Sequence, residues 1–302
     1  SDLYKMGLDE ERLNREGAEP IRLAVNNILS MTEREQILTS LSGLHTDGIG
    51  VFFACYPAAD LMDSNMTILY MEQGGLGMGN RDYYTEAENA QLKAGYRTYL
   101  SKIFTLAGVE GDIEKMVDNV MAVEDRLAAK HWTNVECRDI VKGYNPYTFE
   151  AFKAQYKGVD WDAYFRAMGV RKIEKIVVSQ PSSFANTLAT LKSASLDELR
   201  AYVAAHYISS AASYLSEDFA VASFEFFGKE MSGTQEIRPR WKRAMGVPNS
   251  VLSEAVGQMY VAKYFPEEEK VRVETMVSNS QRAVSKHIEA LDGMGEATKA
   301  KA

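Results

Sequence analysis

Residues 73–84 read Gln-Gly-Gly-Leu-Gly-Met-Gly-Asn-Arg-Asp-Tyr-Tyr, and the last four side chains are of types and spacing that could do chemistry. Arg81 beside Asp82, ahead of the phenols Tyr83 and Tyr84, makes a charge network with hydroxyl donors at a helix start. Such a network can contact a substrate, which makes Arg81, Asp82 and Tyr84 the candidate substrate-binding residues. It can equally act as a structural clamp on the loop before it. The glycines of that loop do not form a phosphate cradle. They alternate at 75, 77 and 79, no G-x-x-x-x-G-K-[ST] follows, and no strand–loop–helix unit encloses them. They predict a loop with positive φ angles.

Other constellations offer less. The four histidines are His45, His131, His206 and His287. No two share the i, i+4 spacing that sets two imidazoles on one helix face, no His-Glu-x-x-His occurs, and none has a second His or Cys at ligand spacing. The residues therefore predict neither a metal site nor a catalytic group. His206, on the Tyr202 face, reads as a packed core histidine, and His45, just before a hairpin, as locally bonded. Carboxylates at Glu10-Glu11, Asp197-Glu198, Glu217-Asp218 and Glu267-Glu268-Glu269 are sequence neighbours, which do not face each other on a helix. Most suit the first turns of helices, where the dipole favours them. No G-x-S-x-G elbow occurs. Arg238, Arg240, Lys242 and Arg243 surround Trp241. They could cap an acidic partner or a substrate C-terminus; the plainer reading is a solvated face with Trp241 packed inward.

Positioning these groups takes a sizeable body, and 302 residues with 46% hydrophobic and 10% aromatic content supply one. A net charge of −8 argues against phosphate-neutralising nucleic-acid binding and against adsorption to anionic lipid. Cys55 and Cys137 form no disulfide framework or zinc ribbon. They read as buried free thiols, a single disulfide being the alternative. No apolar run is long enough for a membrane span. The N-terminus has neither the charged nor the apolar region of a signal peptide and starts in mid-pattern, as if cut from a longer protein.

The elements read as mostly helix. Thr32-x-x-Glu35, Thr85-x-x-Glu88 and Ser195-x-x-Glu198 fit the capping box, and Asp112 and Asp160 fit N-caps. Val256, Met259, Tyr260 and Tyr264, then Val273, Val277, Val284, Ile288 and Leu291, recur at helical spacing on either side of Pro266. Buried helices are expected around Tyr202 to His206 and Phe219 to Phe227. Gly50–Tyr56 and Met66–Met71, rich in aromatic and β-branched residues, predict a β-hairpin at about 49–72, with the segment between them as turn. Gly143-Tyr144-Asn145-Pro146 reads as a bend between helices. The fold class is mainly α: one large helical lobe over 1–302 with a single small hairpin.

Motif order carries a resemblance. Gly17-x-Glu19-Pro20-Ile21, the hairpin followed by Gly75-Leu76 and Arg81-Asp82-Tyr83-Tyr84, Arg240-Trp241-Lys242-Arg243, and Ala255-Val256-Gly257-Gln258-Met259-Tyr260-Val261 occur in that order. Together they resemble the non-catalytic N-terminal region of the neprilysin-like zinc metallopeptidases of the bacterial oligopeptidase O type. Gly7, Ala244, Gly79 and Gly293 depart from residues common in that family. The resemblance implies a secreted, periplasmic or membrane-anchored parent with two mainly helical lobes around a chamber. The parent would be a zinc metalloendopeptidase (a hydrolase) cleaving small peptides. This chain would be the covering lobe that restricts substrate size, with helices at about 250–302 leading to the catalytic lobe, its main partner. Zinc, the His-Glu-x-x-His base and the substrate-binding strand would lie beyond it, so no metal ligand or catalytic residue carries over and the fragment is expected to be inactive. The alternative is a stand-alone helical binding or scaffold module presenting Trp241 and its basic neighbours.

Overall fold

Helix Ile113–Ala128 shows how this sequence builds its core: Val117, Val120, Met121, Glu124, Leu127 and Ala128 recur at three- and four-residue spacing and are all buried. It packs on Leu196–Ala211, whose Leu199, Tyr202, Val203 and Ile208 are buried, and on Ala90–Leu106. The structure is a computed structural model describing residues 2–302. It is mainly helical, and it comprises two compact units. The larger is Asp9–Ile237; the smaller joins the N-terminal residues up to Leu8 with Arg238–Ala302.

Several helix starts are where the sequence puts them. Ser195 accepts from the Glu198 amide while the Glu198 carboxylate accepts from the Ser195 amide, a complete capping box. Asp112 and Asp160 accept from Lys115 N and Ala163 N. The other two boxes are corrected. Helix Arg34–Thr46 is capped by Glu33 with Gln36, one residue beyond the Thr32/Glu35 expectation. Thr85 caps nothing: it ends the short helix Asp82–Thr85, and its hydroxyl donates back to Arg81 O at 3.3 Å.

The hairpin exists but belongs to a larger sheet than the sequence suggests. Strands β1 (Phe53–Asp60) and β2 (Asp63–Gln73) pair antiparallel, and the turn is only Leu61-Met62. Two further strands, β3 (Pro146–Tyr147) and β4 (Ile176–Val178), complete the order β1-β2-β4-β3, with β2 and β4 parallel. Both are too short to give a period-two signal. Met71 O accepts from Ser179 N at 2.9 Å and Gln73 N donates to Gln180 Oε1 at 2.9 Å. Their backbones therefore turn away from β1, and by strand alternation the partner residues Phe53, Cys55, Pro57 and Ala59 face the open edge. Pro57 lacks a donor and blunts that edge. At the tip, Asp60, 2% exposed, accepts from Lys175 Nζ (2.5 Å), Tyr144 Oη (2.7 Å) and Met62 N (3.0 Å). These contacts pull its carboxyl down to about 2. Under the sheet Phe53, Phe152, Trp161 and Phe184 interlock with ring centroids 5.0–5.9 Å apart.

The smaller unit is built differently. Residues Asp2–Leu8 pack on Arg240–Val251, where Gly7 lets the backbone approach Ala244: a Cβ on Gly7 would stand 2.9 Å from that of Ala244. Arg240 Nε donates to Gly7 O at 2.6 Å. Helices Ser253–Tyr264 and Glu267–Glu289 form as the periodicity predicts, with Pro266 as the N-cap of the second. Their apolar faces are not buried: Met259, Tyr260, Tyr264, Val273, Met276, Val277 and Val284 are all exposed. Trp241 is also exposed, at 53%, with the Lys242 ammonium 5.4 Å from its ring centre, which corrects the inward packing expected of it. Both cysteines are free, Cys55 partly buried but Cys137 exposed, which corrects the expectation of two buried thiols.

Candidate functional site

The glycine loop is held from both sides by phenols. Tyr202 Oη donates to Gly75 O at 2.7 Å and accepts from Phe52 N at 2.8 Å. Phe52 has φ +59°, the one left-handed non-glycine residue among those described, inside a tight turn closed by Phe53 N to Val51 O at 2.6 Å. Gly75, at φ +79°, must be glycine twice over, because a Cβ there would also stand 2.3 Å from Phe52 N. Further along, Met78 N donates to Tyr84 Oη at 2.9 Å.

Beneath the loop lies a fully buried carboxylate. Glu124 accepts from Tyr84 Oη at 2.5 Å, Tyr96 Oη at 3.0 Å and His206 Nε2 at 2.8 Å. Gly77 makes room for it: a Cβ there would meet Tyr96 Oη at 1.8 Å and Glu124 Oε1 at 3.1 Å. Burial drives Tyr84 and Tyr96 well above the ordinary phenol range and the Glu124 charge adds to it, so both remain donors. An unpaired carboxylate here would be costly; bonds from three helices make it a cross-brace.

The outer edge of the loop holds Arg81. Its Nη1 donates to His131 O at 3.3 Å, and its Nε lies 3.8 Å from Asp82 Oδ1. His131 is 4% exposed. Burial, then the nearby Arg81 charge, lower its imidazole to about 4 against a bond to the Gly74 backbone, so it is neutral. Asp82 N donates to Asn80 Oδ1 at 3.1 Å, a local turn closure.

The three candidate residues therefore part company. Tyr84 is buried and committed to Glu124 and Met78, while Arg81 and Asp82 keep partial exposure. The sequence reading missed Glu124, Tyr96 and Phe52. Glu124 did leave a signal, since it is a charge on the apolar stripe Val117-Val120-Met121-Leu127. His206 lies in the core as expected, but bonded to a carboxylate, and His45 bonds to Val51 O at 2.8 Å and to Tyr164 Oη at 2.6 Å. Among the described residues no three His, Cys, Asp or Glu side chains converge to hold a metal ion. The donor set of a zinc centre does not fit here: His45 and His206 use ring nitrogens inside the fold, and the buried His131 Nε2, which has no hydrogen-bond partner, has no cluster of ligand side chains around it.

The sequence model for the N-terminal region of peptidase family M13 matches residues 1–302. The chain belongs to peptidase family M13. It is 26% identical over 301 residues to the neutral endopeptidase of Lactobacillus helveticus, covering 99% of this chain and 46% of that protein. It superposes on the inhibitor-bound zinc metalloprotease Zmp1 of Mycobacterium tuberculosis with a TM-score of 0.91 and 29% identity, over 99% of this chain and 46% of that one. On the open state of the same protease the TM-score is 0.86 at 30% identity, over 99% of this chain and 47% of that one. The M13 chain thus spans about half the length of the relatives it matches. No helix among the described residues is long and apolar enough to cross a membrane.

Proposed function

We propose that this chain is the covering lobe of a zinc metalloendopeptidase: it encloses a chamber that admits small peptides, and zinc and its ligands belong to a catalytic lobe that completes the protein. The observation carrying this reading is the match of an M13 N-terminal model to all 302 residues of a chain half as long as its relatives. The uncovered apolar faces of Ser253–Tyr264 and Glu267–Glu289, with an open groove of about 710 Å³ along Val273, Val277, Val284 and Ile288, supply the surface on which the catalytic lobe would dock. Arg81 and Asp82 are the residues left with substrate-contact potential; the Tyr84–Glu124 bonds make the rest of that motif a clamp. In this reading the parent works outside the cytoplasm.

Exposed Trp241 with Lys242 beside it favours one second reading, a binding module that uses this patch. The gene separates the two. A reading frame that continues past the Ala302 codon into a His-Glu-x-x-His helix supports the peptidase lobe. A stop codon there leaves the binding module.

A further inference from the structure

The end of the β1–β2 hairpin carries a sequence signal that a peptidase lobe has no use for. Residues 63–67 read Asp-Ser-Asn-Met-Thr, and Asn65-x-Thr67 is the acceptor tripeptide of N-linked glycosylation. Of the twelve asparagines in the chain, only Asn65 has Ser or Thr two places on. Chance alone supplies one such tripeptide among that many asparagines, so placement has to decide. Asp63 adds the acidic residue, two places ahead of the asparagine, that bacterial oligosaccharyl transferases require beside the tripeptide.

A transferase needs its asparagine at the surface, outside the strand ladder, on backbone that can be drawn into an active site. Residues 61–67 are all exposed. The ladder pairs Ala59 with Thr67 and Asp60 with Asp63, which leaves Ser64, Asn65 and Met66 without partners in β1. Unpaired residues of this kind can move without breaking the ladder beside them. The two hydrogen bonds of Asn65 are local: Asp63 Oδ1 accepts from its backbone N and from its Nδ2, both at 3.1 Å. Below the tip the hairpin is fixed, because Asp60 is held by Lys175 and Tyr144.

A second observation says what a glycan would do here. Leu61 and Met62 form the turn and are 58% and 75% exposed, and Met66 beside them is also exposed. Hairpin turns ordinarily use Asn, Asp or Gly. Apolar side chains at the end of an open strand edge invite pairing with other chains. Pro57 blunts the middle of that edge, and no residue of the tip does the same for its end.

We propose that Asn65 is an N-glycosylation site and that its glycan shields Leu61, Met62 and Met66. The co-reactant is an oligosaccharide joined through pyrophosphate to a polyprenol. Asn65 Nδ2 bonds to the anomeric carbon of the first sugar as the bond from that carbon to the phosphate oxygen breaks. The polyprenyl pyrophosphate leaves with that electron pair, Nδ2 gives up one proton to a base of the transferase, and nothing is oxidised or reduced. In the cell the modification rests on the proposed reading that the parent works outside the cytoplasm. The fitness of Asn65 as an acceptor does not.

The test forces export. The 302-residue chain, behind a cleavable signal peptide, is sent to the periplasm of a bacterium supplied with an oligosaccharyl transferase and its lipid-linked glycan. An Asp-Gln-Asn-Ala-Thr tag after Ala302 serves as the internal standard. The expected intact mass carries two glycans. Asn65→Gln and Thr67→Ala each remove one, Thr67→Ser keeps both, and Asp63→Ala lowers occupancy at Asn65 several-fold. Peroxide should oxidise Met62 and Met66 several-fold more slowly in the glycosylated chain than in Asn65→Gln. A glycan on the tag with none on Asn65 overturns the site. Equal methionine oxidation in the two forms overturns the shielding. Because export is imposed, neither result touches the covering-lobe reading, and a stop codon after Ala302 would leave this site standing.

Discussion

The two units of this chain contain the same kind of sequence and bury it differently. In Asp9–Ile237, Ile113–Ala128 and Leu196–Ala211 place their apolar stripes in a continuous core with fully buried Phe52, Phe104 and Tyr202. In Arg238–Ala302, Ser253–Tyr264 and Glu267–Glu289 carry equally regular stripes and bury none of them. Helical periodicity reports that a face exists, and only the rest of the protein decides what covers it. The larger unit should therefore answer to single atoms, and the smaller one should barely answer until its partner surface is present.

The largest effect is expected at Gly75. An alanine there must adopt φ +79° and drive its Cβ into the Phe52 backbone. Gly75→Ala should cost more than about 4 kcal/mol, seen as a collapse of the urea midpoint with m falling as the larger unit loosens. Glu124→Ala comes next. It strands Tyr84, Tyr96 and His206 in the core, at about 3 kcal/mol by the same measurement.

A third expectation concerns pH. Folding lowers the His131 pKa from 6.5 to about 4, so the unfolded chain binds the proton more tightly. Its contribution is whole above pH 6.5 and is lost as pH falls towards 4. A shift of this size is worth about 3 kcal/mol. The drop in unfolding free energy between neutral and acid pH should shrink by about that amount in His131→Gln. The smallest effect belongs to the other unit: Met276→Gln and Val277→Thr, on an exposed face, should each move stability by less than about 0.5 kcal/mol. A large loss from either would mean that this face is covered in the isolated chain, and the contrast between the units would fail.

The sequence made parts of this molecule readable for local reasons. Ser195 with Glu198, and Asp112 and Asp160, bond to amides three residues away, so their role is written in adjacent residues. The hairpin was legible because β1 and β2 are long enough to show a pattern, whereas β3 and β4 were not. The glycine loop could be recognised as a loop, but its clasp could not. Tyr202 lies 127 positions from Gly75, and Glu124 lies 40 from Tyr84; nothing at such separation is set by spacing. Trp241 was misread because an aromatic ring in a basic run suits an inward or an outward position equally well. The π-helix at Phe224–Glu230 was invisible for a related reason: Phe219 to Phe227 has an apolar pattern that an α or a π register would bury in part.

The central claim is that these 302 residues cover a peptidase chamber and do no chemistry of their own. The direct measurement is zinc content and hydrolysis of a short fluorogenic peptide by the purified chain, with and without a chelator. The account predicts no stoichiometric zinc and no turnover, with both appearing when the chain is part of the longer M13 protein. Chelator-sensitive hydrolysis by the 302-residue chain alone would contradict it.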